Sequence, residues 1–261
     1  MNILEQIVAD KRLEIAARKV QQPAEDLKPA GGFPNGDDFI RALRSVPIGL
    51  IAEVKRRSPS AGAIREPFDP SEIARIYEHA GAQALSVLVD EKYFGGGEAP
   101  FRSVRSAVRL PLLYKEFVVD AWQIRHAASL GAAAVLLIAA VLKEDELRAF
   151  MALARDAGLA ALVEVHDEAE MRIAAELECP LIGINNRNLK NFHTTLEMTF
   201  RLSAGAPPGC TLVSESGIKT FGDIERLRAG GIQAVLVGES LLRQPDLLAA
   251  VTGLMQGPAR S

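Results

Sequence analysis

The stretch IGLIAEVKRRSPSAGAIREPFDPSEIARIYEHAGAQALSVLVD, Ile48 to Asp90, contains one complete structural unit of the chain. IGLIAEVK (Ile48 to Lys55) is a short apolar run of strand length. SEIARIYEHAG has apolar residues at helical spacing and closes on Gly81, where a helix C-cap takes a left-handed residue. QALSVLV (Gln83 to Val89) is a second apolar run. Strand, loop, helix and strand in that order predict two parallel strands joined by a crossover helix. The pattern continues through LLYK (Leu112 to Lys115), AAVLLIA (Ala133 to Ala139), LAALVEV (Leu159 to Val165), LIGIN (Leu181 to Asn185), CTLVSE (Cys210 to Glu215) and QAVLVG (Gln233 to Gly238). Eight such units in 261 residues predict a single α/β domain, a (β/α)8 TIM barrel, whose typical length is about 250 residues.

No Pro/Gly/Ser-rich linker divides the chain, so residues 1–261 read as one domain. Residues 1–46 read as an N-terminal helical extension, with a helical stretch from Ile3 to Val20 and a Pro- and Gly-rich loop from Gln22 to Gly36. A hydrophobic share of 48% argues against disorder, and a 5% aromatic share leaves a core of Ala, Leu, Val and Ile, as strands buried on both faces require. The longest uncharged apolar stretch, Gly131 to Leu142, falls far short of the ~20 residues that span a bilayer, and the start MNILEQIVADKRLE mixes acid and base. A cytoplasmic protein without membrane contact is the expectation. Thirty Lys plus Arg against 33 Asp plus Glu provide no global field for nucleic acid or an anionic membrane, so any anionic ligand needs a local site. Cys179 and Cys210 lie outside any CxxC pattern and read as buried thiols. His79, His126, His166 and His193 are scattered without HExxH spacing, so no metal is expected.

In a barrel of this kind chemistry sits at the C-terminal ends of the strands. Charged and polar residues collect there: Glu53 and Lys55 on the first run, Lys115 on the third, Glu164 on the fifth, Asn185 and Arg187 on the sixth and Glu215 on the seventh. Glu53 and Lys55 are two apart and point to the same side of a strand, which for charged residues means the lumen. Five of these on one rim, Glu53, Lys55, Lys115, Glu164 and Glu215, suggest proton transfer, with burial lowering a lysine pKa and raising a carboxylate pKa towards neutrality. SESG (Ser214 to Gly217) and VGES (Val237 to Ser240) follow the seventh and eighth runs, where backbone N–H groups at strand-to-helix turns bind phosphate. Gly95-Gly96-Gly97 reads as a flexible loop, and RRSPSAGAIREPFDP (Arg56 to Pro70) as a long loop placed to act as a lid.

These residues, in this order, closely resemble the indole-3-glycerol phosphate synthase family. The matching blocks include IAEVKRRSPSAGAIRE (Ile51 to Glu66), LLYKEFVVDAWQI (Leu112 to Ile124), LVEVHDEAE (Leu162 to Glu170), LIGINNRNL (Leu181 to Leu189), LVSESGI (Leu212 to Ile218) and AVLVGESLLR (Ala234 to Arg243), and the match runs from about Ile48 to Arg243. The resemblance implies ring closure of 1-(2-carboxyphenylamino)-1-deoxyribulose 5-phosphate to indole-3-glycerol phosphate, with loss of carbon dioxide and water and no cofactor. It implies Lys115 as general acid of the condensation and Lys55 as the group that recognises the substrate carboxylate and serves the dehydration. Glu164 becomes the acid/base of the second half, with Glu53 and Asn185 positioning it, and Glu215 an active-site carboxylate. Pro59, Phe94, Phe117, Leu136 and Leu189 would wall the aryl ring, Ser58 and Arg187 would line the site, and Ser216, Gly217, Gly238 and Glu239 would hold the phosphate. Glu116 stands where the family usually has Asp after the lysine, and Tyr114 is unusual before it. The only expected partner is the small phosphorylated substrate, and a monofunctional monomer is favoured. Two other readings are weighed: a different phosphate-binding barrel such as phosphoribosylanthranilate isomerase, which would want a strand-end cysteine that Cys210 is not, and a non-catalytic barrel, which predicts a rim stripped of its charges.

Overall fold

Each of the eight apolar runs becomes a strand in the computed structural model, which describes residues 3–59, 61–188 and 193–257. In chain order they are β1 (Gly49–Val54), β2 (Ala84–Leu88), β3 (Leu112–Lys115), β4 (Ala134–Ile138), β5 (Ala160–Val165), β6 (Leu181–Asn185), β7 (Thr211–Glu215) and β8 (Ala234–Val237). Each pairs in parallel with its chain neighbours, and β8 returns to β1 through Ala52 opposite Val237, closing the barrel. The fold is the (β/α)8 barrel that the repeating units predict.

Alternation along each strand separates two cores. On β1, Leu50, Ala52 and Val54 pack outward against the helices, while Ile51 faces the lumen with Leu113, Leu136, Leu162, Val213 and Leu236. Burying side chains of this size stabilises by about 1.5–3 kcal/mol each. The lumen is therefore apolar through its lower layers, and the next inward positions up the strands are Glu53, Lys115, Glu164, Asn185 and Glu215.

The N-terminal segment adds two helices. The first, α1 (Ile3–Gln21), buries Ile7, Lys11 and Ile15, spaced four apart along one stripe. The second, α2 (Gly36–Leu43), lies where the sequence reading has no helix after the Pro- and Gly-rich loop. It starts on a capping box in which the Asp38 amide donates to Asn35 Oδ1 at 3.1 Å and the Asn35 amide to Asp38 Oδ2 at 3.0 Å. Fully buried Phe39 and Leu43 join the lumen core and plug the floor of the barrel. Two further expectations change. The Gly95–Gly97 segment is a built turn rather than a flexible loop: Gly95 is left-handed with φ 63° at the end of a one-turn helix (Glu91–Phe94), and a Cβ on Gly96 would lie 2.2 Å from the Leu88 carbonyl oxygen. The loop after β1 contains a short antiparallel pair, Arg57–Ser58 with Gly62–Ala63, and buries Ile64. Cys179 is buried and Cys210 only half-buried; both are free thiols. Among the described residues no helix is long and apolar enough to cross a membrane.

Lys11 ties α1 to the barrel rim. Its ammonium is fully buried, 2.9 Å from Asp90 Oδ2, 3.0 Å from Glu116 Oε2 and 2.7 Å from Glu14 Oε2. Burial pushes the Glu116 carboxyl up to about 7 even though Lys11 opposes the shift. Lys11→Met leaves two buried carboxylates without their cation and is expected to cost ~3–5 kcal/mol in urea unfolding. The cost should be larger at pH 8 than at pH 6, where Glu116 takes a proton and the repulsion with Asp90 relaxes. An equal cost at both pH values would rule out Glu116 as the stranded charge.

Candidate active site

Above the apolar lumen a cavity of about 690 Å³ opens, and it collects sixteen of the seventeen residues singled out from the sequence. The other one, Leu189, lies outside the described residues. The strands deliver the charged groups to one level. Lys115, at the end of β3, donates to Glu215 Oε2 on β7 at 2.7 Å and to Glu164 Oε2 on β5 at 3.2 Å. Glu164 Oε1 accepts from Asn185 Nδ2 at 3.1 Å, and the Arg187 amide donates to Asn185 Oδ1 at 3.1 Å. The second bond orients the Asn185 amide so that its NH₂ faces Glu164. Across the mouth, Lys55 forms an ion pair with Glu53. The two-apart spacing that placed these residues on one face is confirmed.

Two carboxylates fit only because a neighbouring lumen position is glycine. A Cβ on Gly183 would sit 2.1 Å from Glu215 Oε1, and one on Gly238 would sit 2.5 Å from Glu53 Oε1. The apolar wall stands apart from this cluster. Phe94 and Phe117 meet with ring centroids 6.0 Å apart, and Pro59 and Leu136 line the same cavity, as does Ser58.

The turns after β7 and β8 form another part of the wall. Ser216 and Gly217 both have positive φ, 68° and 82°, and a Cβ on Gly217 would meet Thr194 at 2.5 Å. Buried Asn186 holds the turn from beneath, donating to the Ser216 carbonyl at 3.0 Å and to Ser214 Oγ at 2.9 Å. Ser240 Oγ donates to the Ile218 carbonyl at 2.9 Å and ties this turn to the next one, Gly238 with the helical turn Glu239–Leu242. First-turn N–H groups have no acceptor within their own helix and are available to an anion. The Arg187 guanidinium lies 3.8 Å from the Glu239 carboxylate.

The titration of the cluster departs from expectation at its lysine. Burial pulls the Lys115 amine down, but Glu215, Glu164 and Glu53 together outweigh it and hold the pKa above the ordinary lysine value. For Glu215 burial wins: despite Lys115, its carboxyl is pushed up to about 7, and Glu164 adds to the rise. Burial acts on Glu164 too, yet Lys115, His166 and Asn185 overcome it and keep the carboxyl below the usual range. The resting site at neutral pH therefore holds a charged lysine and an ionised Glu164, beside a Glu215 that takes up a proton far more readily than an ordinary carboxylate.

Some lining residues escaped the sequence reading. Ile3, Leu4 and Ile7 of α1 reach the cavity, as do His166, Leu236 and Arg243. His166 lies two positions beyond Glu164 and was accessible to the spacing argument used for Glu53 and Lys55; the hydrophobic stripe of α1 carries no sign of what it covers.

A closed eight-stranded barrel with acid/base groups at the strand ends and two phosphate-type turns after β7 and β8 defines a barrel enzyme acting on a phosphorylated small molecule. Comparison with known proteins narrows the class. The family model "Indole-3-glycerol phosphate synthase" matches residues 4–254. Proteins named indole-3-glycerol phosphate synthase from Geobacillus thermodenitrificans and Rhodopirellula baltica are each 45% identical, over 95% of this chain and 95% of the relative in the first case and 98% and 99% in the second. The chain belongs to the indole-3-glycerol phosphate synthase family, carboxy-lyases of tryptophan biosynthesis. Among solved structures, thiamine phosphate pyrophosphorylase from Pyrococcus furiosus superposes with a TM-score of 0.62 over 83% of this chain and 96% of that one, at 14% identity, a likeness of fold alone.

The raised pKa of Glu215 predicts a direction for stability. A group whose folded pKa exceeds its unfolded value stabilises below the unfolded value and loses that contribution as pH rises through the folded one. Glu215→Gln should therefore flatten the fall in unfolding free energy between pH 5 and pH 8 by up to about 3 kcal/mol, Glu116 contributing equally to both proteins. Parallel curves for the two proteins would assign the titration elsewhere.

Proposed function

We propose that Lys115 is the general acid of ring closure in a reaction that converts 1-(2-carboxyphenylamino)-1-deoxyribulose 5-phosphate to indole-3-glycerol phosphate. The observation that carries this reading is the Lys115 ammonium, loaded with its proton by Glu215 and Glu164 at the floor of a cavity with aromatic walls and phosphate turns. The aryl ring stacks against Phe94 and Phe117 with Pro59 and Leu136 around it, and the phosphate takes N–H groups from Ser216, Gly217, Gly238 and Glu239.

Ring closure joins the aromatic carbon bearing the carboxylate to the ketone carbon, and Lys115 gives its proton to the ketone oxygen as the C–C bond forms. The bond to the carboxylate then breaks, carbon dioxide leaves and its electron pair restores the aromatic ring. Lys55 recognises the carboxylate before it departs and afterwards protonates the new hydroxyl, which leaves as water. Glu164, ionised, takes the proton from the carbon beside the nitrogen, so that the ring double bond forms. Glu53 and Asn185 hold Lys55 and Glu164 in place. Glu215, 2.7 Å from the Lys115 amine and with a carboxyl that burial makes easier to protonate, returns the proton that the lysine has given. Ser58 and Arg187 line the substrate path. The chain is read as a single-domain monomer working in the cytoplasm.

Chelator-treated protein should form the indole product from this substrate, followed by indole fluorescence; absence of signal, or a requirement for added metal, would overturn the reading. Lys115→Ala should lower kcat by ~10²–10⁴ while the substrate still binds. Near-normal turnover would move the acid role to Lys55.

A further inference from the structure

His166 has no role in the mechanism above, yet it is the nearest additional charge to the group that mechanism uses as a base. Its side chain is buried at the cavity wall, with Nε2 3.1 Å from Glu164 Oε1 and Nδ1 3.1 Å from Glu170 Oε2 on the following helix, Glu168–Glu176. Glu170 is itself fixed, because the same oxygen accepts from the His166 backbone amide at 2.7 Å. A neutral imidazole has one donor nitrogen and one acceptor nitrogen and satisfies one carboxylate while repelling the other. Two carboxylates, one at each ring nitrogen, call for both nitrogens to carry protons. The Nε2 contact also lies off the line of a good hydrogen bond, so charge carries it rather than direction.

We propose that His166 is a positioning residue which acts as a fixed imidazolium, held by Glu170, to keep Glu164 ionised and aimed for proton abstraction. The proposal rests on the assignment of Glu164 as the base. Among the described residues the charged groups that contact the ring are Glu164, from its own strand, and Glu170, from the helix packed after it; Lys115 of β3 meets the opposite oxygen of Glu164, and Glu215 of β7 meets Lys115. Burial pulls the imidazole pKa down, but contacts with Glu164 and Glu170 reverse the shift and push it up to about 10. Glu164 thus has a separate cation on each oxygen. When Lys115 gives up its proton in the first half of the reaction, His166 still holds Glu164 as a carboxylate, ready for the second half.

Glu170→Gln tests the charge without removing the contacts, since the amide oxygen still accepts from the ring and from the backbone amide. With one carboxylate gone, the His166 pKa should fall by ~1–3 units, read directly from the ¹⁵N shifts of the ring. The kcat of this variant should match the parent at pH 6.5 and drop several-fold by pH 9, with KM little changed. His166→Gln should lower kcat about tenfold across pH 6.5–9, with KM again close to the parent and a folded circular dichroism spectrum. His166 titrating lower in Glu170→Gln with an unchanged kcat profile, or a fully active His166→Gln, would overturn the proposal. Glu164→Gln separates this from the reading beneath it: a fully active Glu164→Gln would remove the assigned base, whereas an inactive Glu164→Gln beside a fully active His166→Gln would sink only the role of His166.

Discussion

The lysine ammonium held between two buried glutamates at the top of the lumen is the contact around which the rest of the rim is organised. Lys115 could not be buried at 13% side-chain exposure without carboxylates, and Glu164 and Glu215 could not be buried at 6% and 2% without a cation. Each group makes the burial of the others tolerable. The barrel supplies the geometry, because adjacent strands bring β5, β6 and β7 to one height while β3 reaches across the lumen from the other side. Glycine at Gly183, in the inward register beside Glu215, leaves room for the carboxyl that a side chain there would displace.

The same cluster sets its own charge. Lys55, Lys115 and His166 stand against Glu53, Glu164, Glu170 and Glu215, three cations against four carboxylates. A fully ionised set would carry an excess negative charge in a pocket that must admit a phosphate and a carboxylate. Glu215 relieves that excess: deeply buried and crowded by Glu164, it is the carboxyl whose pKa rises to about 7 and which takes up a proton. In the proposed site a slightly acidic chain can therefore accept a substrate of high negative charge, since backbone N–H groups rather than net charge would receive the phosphate.

The two residues flanking Lys115 both make contacts that lead to the N-terminal extension. Glu116 reaches Lys11 of α1 at 3.0 Å, an ion pair completed by Asp90. Tyr114, buried in the outer core, brings its hydroxyl to 3.1 Å from His126, whose ring stacks on Trp122; Trp122 in turn donates to the Gln22 carbonyl at 2.8 Å and lies beneath the Arg18 guanidinium. Both contacts lead outward from the strand of the lysine to the helix that covers the cavity with Ile3, Leu4 and Ile7. The extension and the strand that carries Lys115 are therefore one packing problem, and a change at Glu116 is felt at α1.

What could be read from the sequence follows from how local each cause is. The strands were legible because a buried parallel strand is a short apolar run, and the rim residues because each terminates such a run. Helix α2 was lost among prolines and glycines: GDDFIRAL is two turns long, and its signal is the Asn35–Asp38 capping box rather than a long periodic stretch. His166 needed only the two-residue spacing already applied to Glu53 and Lys55. The direction of the Lys115 shift was of another kind. Burial alone predicts a lowered lysine, and the opposite result comes from Glu164 and Glu215, 49 and 100 residues further along the chain. No local pattern around LLYK encodes those neighbours; only closure of the barrel brings them within 3.2 Å, and with them the change from a lysine that burial would strip of its proton to one that keeps it.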